Sequence, residues 1–196
     1  MDKDVMDLSF TNEHPPVNGC LLLSEPFLED SYFQRSIVLI CNNDEKGAFG
    51  FVLNKYLPLR IGDLNDAFAD HKGKIALGGP VDNESLYFIH QLSEHISGGL
   101  HIAEDLYYGG NFDELSNYIR LNPEALGKVR FFIGYSGWAS NQLEEELSEN
   151  TWKVVPTYSI SEMMSNFDDD VWKVVMKKQG KKYSILSNSP IDPSNN

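Results

Sequence analysis

The sequence predicts a single domain of the mixed α+β class. Strand-like runs and helix-like segments are interspersed without the regular strand–helix–strand alternation of a doubly wound sheet. The chain has 196 residues, of which 41% are hydrophobic, and no internal repeat or linker divides it. We place the domain at residues 18–186 and expect the polar segments 1–17 and 187–196 to be flexible.

Short runs rich in β-branched and aromatic residues carry the strand signal. They predict strands at Cys20–Leu23, Ser36–Cys41, Phe49–Leu53, Leu86–Ile89, Leu100–Ala103, Val129–Tyr135 and Trp152–Val155. The turn-forming residues 42–47 lie between the second and third of these runs, so we expect a hairpin there.

Helical spacing and capping residues predict the helices. They predict helices at 61–69, at 112–121 after the cap Asn111, at 141–148, after the capping box Ser159/Glu162, and from the aspartates 168–170 to Lys178. Gly180 suits the position just after the end of the last helix.

The charge of the chain argues against some classes of partner. Sixteen Lys and Arg against 29 Asp and Glu give a net charge of −13, so the protein should repel nucleic acid and anionic lipid. The lysines cluster only between Lys173 and Lys182, in and after a helix that begins with three aspartates. Direct DNA binding is therefore disfavoured, and no apolar run is long enough for a membrane span.

The chain ends and the cysteines point to the cytoplasm. The N-terminal residues have neither a basic segment nor a following apolar core of the kind found in signal peptides. Cys20 and Cys41 lie in apolar runs without C-x-x-C spacing, so we expect two reduced, buried thiols. A disulfide or redox pair is the alternative.

The segment Gly134-Tyr135-Ser136-Gly137-Trp138 invites comparison with the nucleophile elbow of hydrolases. Trp138 stands where the elbow needs its second glycine, and all five histidines precede Ser136. We therefore interpret the segment as a turn from strand to helix whose small residues let Trp138 fold back onto the sheet.

Three other features could be structural or functional. Gly78-Gly79-Pro80 predicts a tight turn, or alternatively a turn that approaches a ligand. Glu146 falls beside the apolar edge of its helix. This position suits a structural, hydrogen-bonded carboxylate or, alternatively, a general acid or base. His90 and the other histidines lack the spacing of a metal site, so we expect neither a metal nor a cofactor.

Several motifs together resemble the AlgH/YqgE family of bacterial proteins, often described as transcriptional regulators. They are Gly19 to Pro26, Phe33 to Ser36, Gly47-Ala48-Phe49-Gly50 to Asn54, Leu77 to Val81, Phe88-Ile89-His90, Gly134 to Trp138, Gln142 to Glu146, and Trp152. The similarity extends from about Gly19 to Gly180. It implies one α+β domain with a mixed, partly barrel-like sheet flanked by helices, and it implies no established reaction.

The chain departs from the family pattern at three places. Asn42-Asn43-Asp44 replaces a common Glu-His-Asn, so no histidine role can be transferred there. Tyr56 stands where a proline is common, and Ser136 where alanine is frequent. The last difference further weakens the hypothesis of a serine nucleophile.

We expect the motif residues to converge on one binding site. They are Asn54, Gly78, Gly79, Pro80, His90, Tyr135, Gly137, Trp138, Gln142 and Glu146. In this interpretation Trp138, Gln142 and Glu146 form one helical ridge that faces the Gly79 turn, with His90 near the rim.

The function favoured by the sequence is a non-enzymatic binding or regulatory protein with an unknown protein or small-molecule partner. The alternatives are a regulator that contacts DNA directly and an enzyme that uses Glu146, His90 or Tyr135.

Overall fold

Strands dominate the fold in the computed structural model, which describes residues 9–69, 72–156, 158–165 and 170–190. The strands within these ranges are β1 (Leu21–Ser24), β2 (Ile37–Asp44), β3 (Gly47–Val52), β4 (Tyr56–Arg60), β5 (Lys74–Leu77), β6 (Val81–His90), β7 (Leu100–Ala103), β8 (Leu106–Tyr108), β9 (Val129–Ala139) and β10 (Trp152–Val155). The α-helices are α1 (Ile61–Leu64), α2 (Phe112–Leu121), α3 (Gln142–Ser148), α4 (Ile160–Met164), α5 (Val171–Lys178) and α6 (Lys181–Leu186).

All ten described strands form one mixed sheet. Eight of them follow in the order β10-β1-β2-β3-β9-β6-β8-β7, and β4 and β5 lie off this path. The short strand β5 pairs in parallel with one half of β9 and carries β4 on its other side, while the remaining pairs are antiparallel. The α+β class is confirmed. The contact between Phe49 of β3 and Tyr108 of β8, which are not neighbours in the sheet, shows that the sheet curls. Its described ends remain separate and do not close a barrel.

A bend at Gly134 divides the central strand β9 into two halves that face different surroundings. Gly134 has a φ of 68°, a conformation that glycine adopts without steric cost. Before the bend Phe131 packs in the core beneath α2, and Phe132 packs in the core beneath α4–α6. After the bend Trp138 enters a third core beneath α3. The predicted strand-to-helix turn at 134–138 is therefore wrong, since this segment is strand.

The helices α4, α5 and α6 cover one end of the largest core, inside the curled sheet. The indole of Trp172 in α5 donates a hydrogen bond to the Ser24 carbonyl at 3.1 Å. The buried Arg130 guanidinium of β9 donates to the carbonyls of Leu53 and Met163, which fixes α4 to the sheet. At the opposite ends of β2, β3 and β9, α3 covers the outer face, and no described helix covers the inner face.

Several predicted elements are confirmed. The helix 112–121 begins where expected, and the Asn111 side chain accepts hydrogen bonds from the backbone N–H of Asp113 and Glu114. The hairpin joining β2 and β3 is present, although β2 continues to Asp44, β3 begins at Gly47, and only Glu45 and Lys46 form the turn.

Other predictions differ from the structure. The helix expected at 61–69 is one α-helical turn followed by a 3₁₀ turn at 66–68, because Asn65 interrupts it and caps the second piece. Strands β4, β5 and β8 and helix α6 have no counterpart among the predicted elements. Residues 168 and 169 of the predicted aspartate-led helix start lie outside the described residues.

Parts of the two terminal segments contact the domain. The Asn12 side chain donates to the Trp152 carbonyl at 2.9 Å and accepts from the Val154 N–H at 2.8 Å, along the outer edge of β10. Arg35 donates a hydrogen bond to the Ser189 carbonyl near the other end of the chain. Residues 1–8 and 191–196 lie outside the described residues, and the domain boundaries at 18 and 186 remain predictions.

Candidate functional site

An open cleft of about 640 Å³ lies on the uncovered inner face at the ends of β2, β3 and β9. It is lined by Asn42, Asp44, Lys46, Gly47, Ala48, Phe49, Val81, Tyr87, Tyr108, Tyr135, Gly137 and Trp138. The curl of the sheet creates the cleft, because it brings Tyr87 of β6 and Tyr108 of β8 close to the aromatic rings of β3. Its volume lies within the range of about 300–1,000 Å³ typical of small-molecule sites.

Four half-buried aromatic rings form the walls of this cleft, and we call them the aromatic box: Phe49, Tyr87, Tyr108 and Tyr135. Their centroids form a closed circuit with separations of 5.0 Å (Phe49–Tyr108), 6.5 Å (Tyr108–Tyr87), 5.7 Å (Tyr87–Tyr135) and 6.3 Å (Tyr135–Phe49). The fully buried Phe51 contacts three of the four rings from the core side.

Hydrogen bonds at the rim of the cleft hold two carboxylates in their charged form. The Tyr87 hydroxyl donates to Asp82 at 2.5 Å, which raises the pKa of Tyr87 to about 12 and lowers the pKa of Asp82. Asp44 accepts from the Asn42 amide and from the Lys46 backbone N–H, and these bonds lower the pKa of its carboxyl group. Burial raises the pKa of Tyr108, so this hydroxyl stays protonated at neutral pH.

The predicted Gly78-Gly79-Pro80 turn shapes one end of the cleft by a close backbone crossing. Gly79 has a φ of 155°, and a Cβ atom there would lie 2.4 Å from the carbonyl carbon of Tyr135. The buried Ser136 hydroxyl donates to the Gly78 carbonyl at 2.9 Å. The turn then leads into Val81, which pairs with Tyr135. The glycines therefore serve close packing here, and Ser136 is not accessible from solvent.

The predicted ridge of Trp138, Gln142 and Glu146 exists as a hydrogen-bond network beneath α3. One carboxylate oxygen of Glu146 accepts from the indole N–H of Trp138 at 2.8 Å and of Trp152 at 2.7 Å. The other oxygen accepts from the Gln142 amide at 3.0 Å. Trp138 lies on a strand, so hydrogen bonds create this connection and the expected helical spacing from Trp138 to Gln142 is wrong.

The structure separates this network from most of the aromatic box. Residues alternate between the faces of a strand, so Tyr135 and Gly137 face the cleft while Ser136 and Trp138 lie on the α3 side. Of the three network residues, Trp138 also lines the cleft. Gln142 and Glu146 do not line it.

His90 lies far from the other predicted site residues. It pairs with Val129 at one end of β9, whereas Val81 pairs with Tyr135 six residues further along, a distance of about 20 Å at the usual strand rise. Its Nε2 contacts the Gly109 carbonyl at 2.9 Å, and its Nδ1 accepts from the Leu92 N–H at 3.1 Å. This pattern defines a neutral, structural imidazole, and burial lowers its pKa.

Asn54 also has a local structural role. Its side chain accepts from the Ile37 N–H and donates to the Arg35 carbonyl, both at 2.9 Å, and so it joins the start of β2 to the end of β3. Of the ten predicted site residues, the structure therefore brings Tyr135, Gly137 and Trp138 to the cleft, with Gly78, Gly79 and Pro80 behind them.

The sequence prediction missed Tyr87, Tyr108, Asp82 and, as a site residue, Phe49. Phe49 lies within the Gly-Ala-x-Gly motif, so its position was available as a signal. The three other residues lie in β6 and β8, and their approach to Phe49 depends on how the sheet curls. That long-range arrangement leaves no local pattern in the sequence.

The described residues contain neither a metal-binding cluster nor a membrane-spanning helix. No group of three or more His, Cys, Asp or Glu side chains there is arranged to hold a metal ion. No helix among them combines the length and apolar composition that a membrane span requires. Cys20 and Cys41 are both free and buried.

Comparison with known proteins assigns the family. A family model described as AlgH-like matches residues 21–184. The chain belongs to the AlgH-like family. A protein of Cytophaga hutchinsonii named UPF0301 protein is 40% identical over 176 residues, covering 89% of this chain and 96% of the relative. A UPF0301 protein of Bacteroides thetaiotaomicron is 37% identical, covering 100% and 99%.

Two solved structures share the fold of this AlgH-like chain. A crystal structure from Corynebacterium diphtheriae has a TM-score of 0.76 at 22% identity, covering 91% of this chain and 95% of its own. The solution structure of the AlgH protein from Pseudomonas aeruginosa has a TM-score of 0.69 at 21% identity, covering 92% and 98%. The AlgH-like resemblance seen in the sequence is therefore confirmed, and the function of the family is uncharacterised.

Proposed function

We propose that this AlgH-like protein is a non-enzymatic cytoplasmic binding protein that takes up a small ligand in the aromatic cleft. Regulation of a partner would follow from occupancy of that site. The observation that carries the proposal is the cleft of about 640 Å³ whose four wall rings remain half exposed. Large rings with polar hydroxyls are typical of binding sites, because they give contact area and orienting hydrogen bonds together.

Segments that carry the family resemblance build this cleft. The stretch from Gly47 to Asn54 supplies Phe49, and the stretch from Gly134 to Trp138 supplies Tyr135 and Gly137. The glycines of the Gly78-Gly79 turn allow the close crossing that fixes Tyr135. These motifs therefore support a site at this position as well as a stable fold.

The arrangement of the candidate catalytic groups favours binding over catalysis. Both carboxylate oxygens of Glu146 accept hydrogen bonds from neighbouring side chains. His90 is buried, and it lies about 20 Å along β9 from Tyr135 by the usual strand rise. Glu146, His90 and Tyr135 therefore cannot act together. The Ser136 hydroxyl is buried and bonded to the Gly78 carbonyl.

A blocking substitution tests the proposal. Gly137 is exposed beside the cleft, and the nearest atoms to a Cβ there would be those of the Tyr135 ring at 3.1 Å and of the Val81 side chain at 3.9 Å. Gly137→Leu should therefore fill the cleft with little backbone strain. Gly127→Leu is the matched control, because Gly127 is exposed and has open space around its Cβ position.

The measurement is a thermal-shift screen of a metabolite library against the three proteins. A ligand that binds the native state raises the melting temperature, by an amount that grows with the logarithm of the ratio of its concentration to its dissociation constant. We expect compounds that stabilise the wild type and Gly127→Leu but leave Gly137→Leu unchanged. If every stabilising compound acts equally on Gly137→Leu, the cleft is not the binding site.

A further inference from the structure

The aromatic box has the chemistry of a receptor for an organic cation. We propose that it binds a methylated ammonium group, of the kind carried by choline-like compounds and by methylated lysine. This inference rests on the proposed function, because it names the ligand class of the same cleft.

The arrangement of the rings supports a cation between them. Three of the four neighbouring pairs cross at angles of 64°, 75° and 86°, like adjacent walls of a box, and the Tyr87–Tyr108 pair is nearly parallel at 27°. The faces of aromatic rings carry negative potential, so several faces around one position attract a positive charge. Phe51 closes the core side of the box.

The chain itself provides no cation to these four rings among its described residues. Elsewhere it places Lys and Arg over rings repeatedly, at 5.0 Å for Lys74 on Tyr56 and 5.2 Å for Arg35 on Trp172. None of the cation–ring contacts found in the described residues involves Phe49, Tyr87, Tyr108 or Tyr135. The box is therefore open to an external cation.

The charges around the box favour the same ligand. Asp44 lines the cleft. Asp82 accepts a hydrogen bond from the Tyr87 hydroxyl, and this bond makes the Tyr87 ring more electron-rich. Lys46 is the one cationic side chain among the lining residues. The chain as a whole carries a net charge of −13, so an anionic ligand would be repelled.

The hydration of the ligand explains the preference for a methylated group. A primary ammonium keeps three N–H donors that need acceptors, and its desolvation in an aromatic site is costly. A fully methylated ammonium has no donors to satisfy and keeps its charge. It can therefore make cation–π contacts with several rings without losing hydrogen bonds.

The test compares choline with its uncharged isostere 3,3-dimethylbutan-1-ol, with binding followed by NMR titration of the full-length protein. Two peptides of one sequence, containing trimethyllysine or unmodified lysine, form a second arm. We expect choline or the trimethyllysine peptide to bind at least tenfold more tightly than its uncharged or unmethylated counterpart. The arm with the higher affinity distinguishes a small molecule from a modified protein segment as the source.

Adjacent residues of β8 provide a matched pair of variants. Tyr108→Leu removes a wall of the box. Tyr107→Leu changes the preceding residue, whose ring stacks on His90 and does not line the cleft. We expect the first to lose at least tenfold in affinity for the cation and the second to retain it. Tyr135→Leu replaces Tyr108→Leu if circular dichroism shows that Tyr108→Leu is unfolded.

The outcomes separate this inference from the proposed function. Equal affinities within both pairs of compounds, or no binding of any methylated ammonium, would overturn the inference. The cleft would still be a binding site if the metabolite screen yields compounds that Gly137→Leu rejects. Failure of that screen would instead contradict the proposed function.

Discussion

A single carboxylate oxygen of Glu146 accepts hydrogen bonds from two indoles, while the other oxygen accepts from Gln142. Trp138 and Trp152 are both buried, so their N–H groups have no access to water as an alternative acceptor. Glu146 therefore joins β9, β10 and α3 through one charged group. Its role in the fold is sufficient to explain why a half-buried acid occurs at this position.

Glu146→Gln should lower the free energy of unfolding by about 1–3 kcal/mol. The Gln142 carbonyl oxygen is already bound to the Ala139 N–H, so Gln142 cannot turn its amide to accept from the new NH₂ group. Urea unfolding would measure the change, with the exposed Glu144→Gln in the same helix as the control. A variant as stable as the wild type would contradict the network role.

His90 should make stability depend on pH in the mildly acidic range. Its Nδ1 accepts from Leu92 in the neutral form, and burial lowers its pKa below the value of about 6.5 in the unfolded chain. The unfolded state therefore binds more protons, so stability present above pH 6.5 is lost as pH falls through the folded pKa.

The measurement for His90 is urea unfolding at about pH 7.5 and pH 5.5. The loss of stability between these values should be smaller in His90→Gln, which has no titrating group there, than in the wild type. An identical loss in both proteins would show that folding leaves the pKa of this imidazole unchanged.

At the scale of elements, the crossing of the Gly78-Gly79 turn over β9 determines where Tyr135 lies. Gly79→Ala should destabilise the protein by about 1–3 kcal/mol or more, because the new Cβ would overlap backbone atoms of Tyr135. Gly127→Ala, in open space, should stay within about 0.5 kcal/mol of the wild type. Thermal unfolding of both variants measures the difference, and equal stability would contradict the close crossing.

Local elements were more predictable than their arrangement. The Asn111 cap, the strand Trp152–Val155 and the buried Leu143 edge of α3 each leave a pattern within a few residues. Strand β4 carries Pro58, which weakens its strand signal in the sequence. Among the described strands it pairs with β5 alone. The positive φ of Gly134 changes which face Tyr135 presents, and a sequence pattern with a period of two cannot reveal it.

At the scale of the whole molecule, the net charge of −13 predicts how the protein behaves with DNA. Lys178 is paired with Glu162 at 3.3 Å, which reduces the positive potential of the lysine cluster. We expect binding to random duplex and to the protein's own promoter no tighter than the 10⁻⁴–10⁻⁶ M range of non-specific binders at about 150 mM salt. Fluorescence anisotropy would measure this, and a sub-micromolar, salt-dependent affinity for the promoter would support direct regulation instead.

Mapping a bound compound by ¹H–¹⁵N NMR would show whether the cleft at the ends of β2, β3 and β9 is the binding site. The compound that stabilises the wild type most in the metabolite screen would be titrated into the labelled protein. We expect the shifted backbone signals to cluster around Phe49, Tyr87, Tyr108 and Tyr135, and the signals of α3 to stay in place. Shifts concentrated at Gln142 and Glu146, or spread away from the cleft, would contradict it.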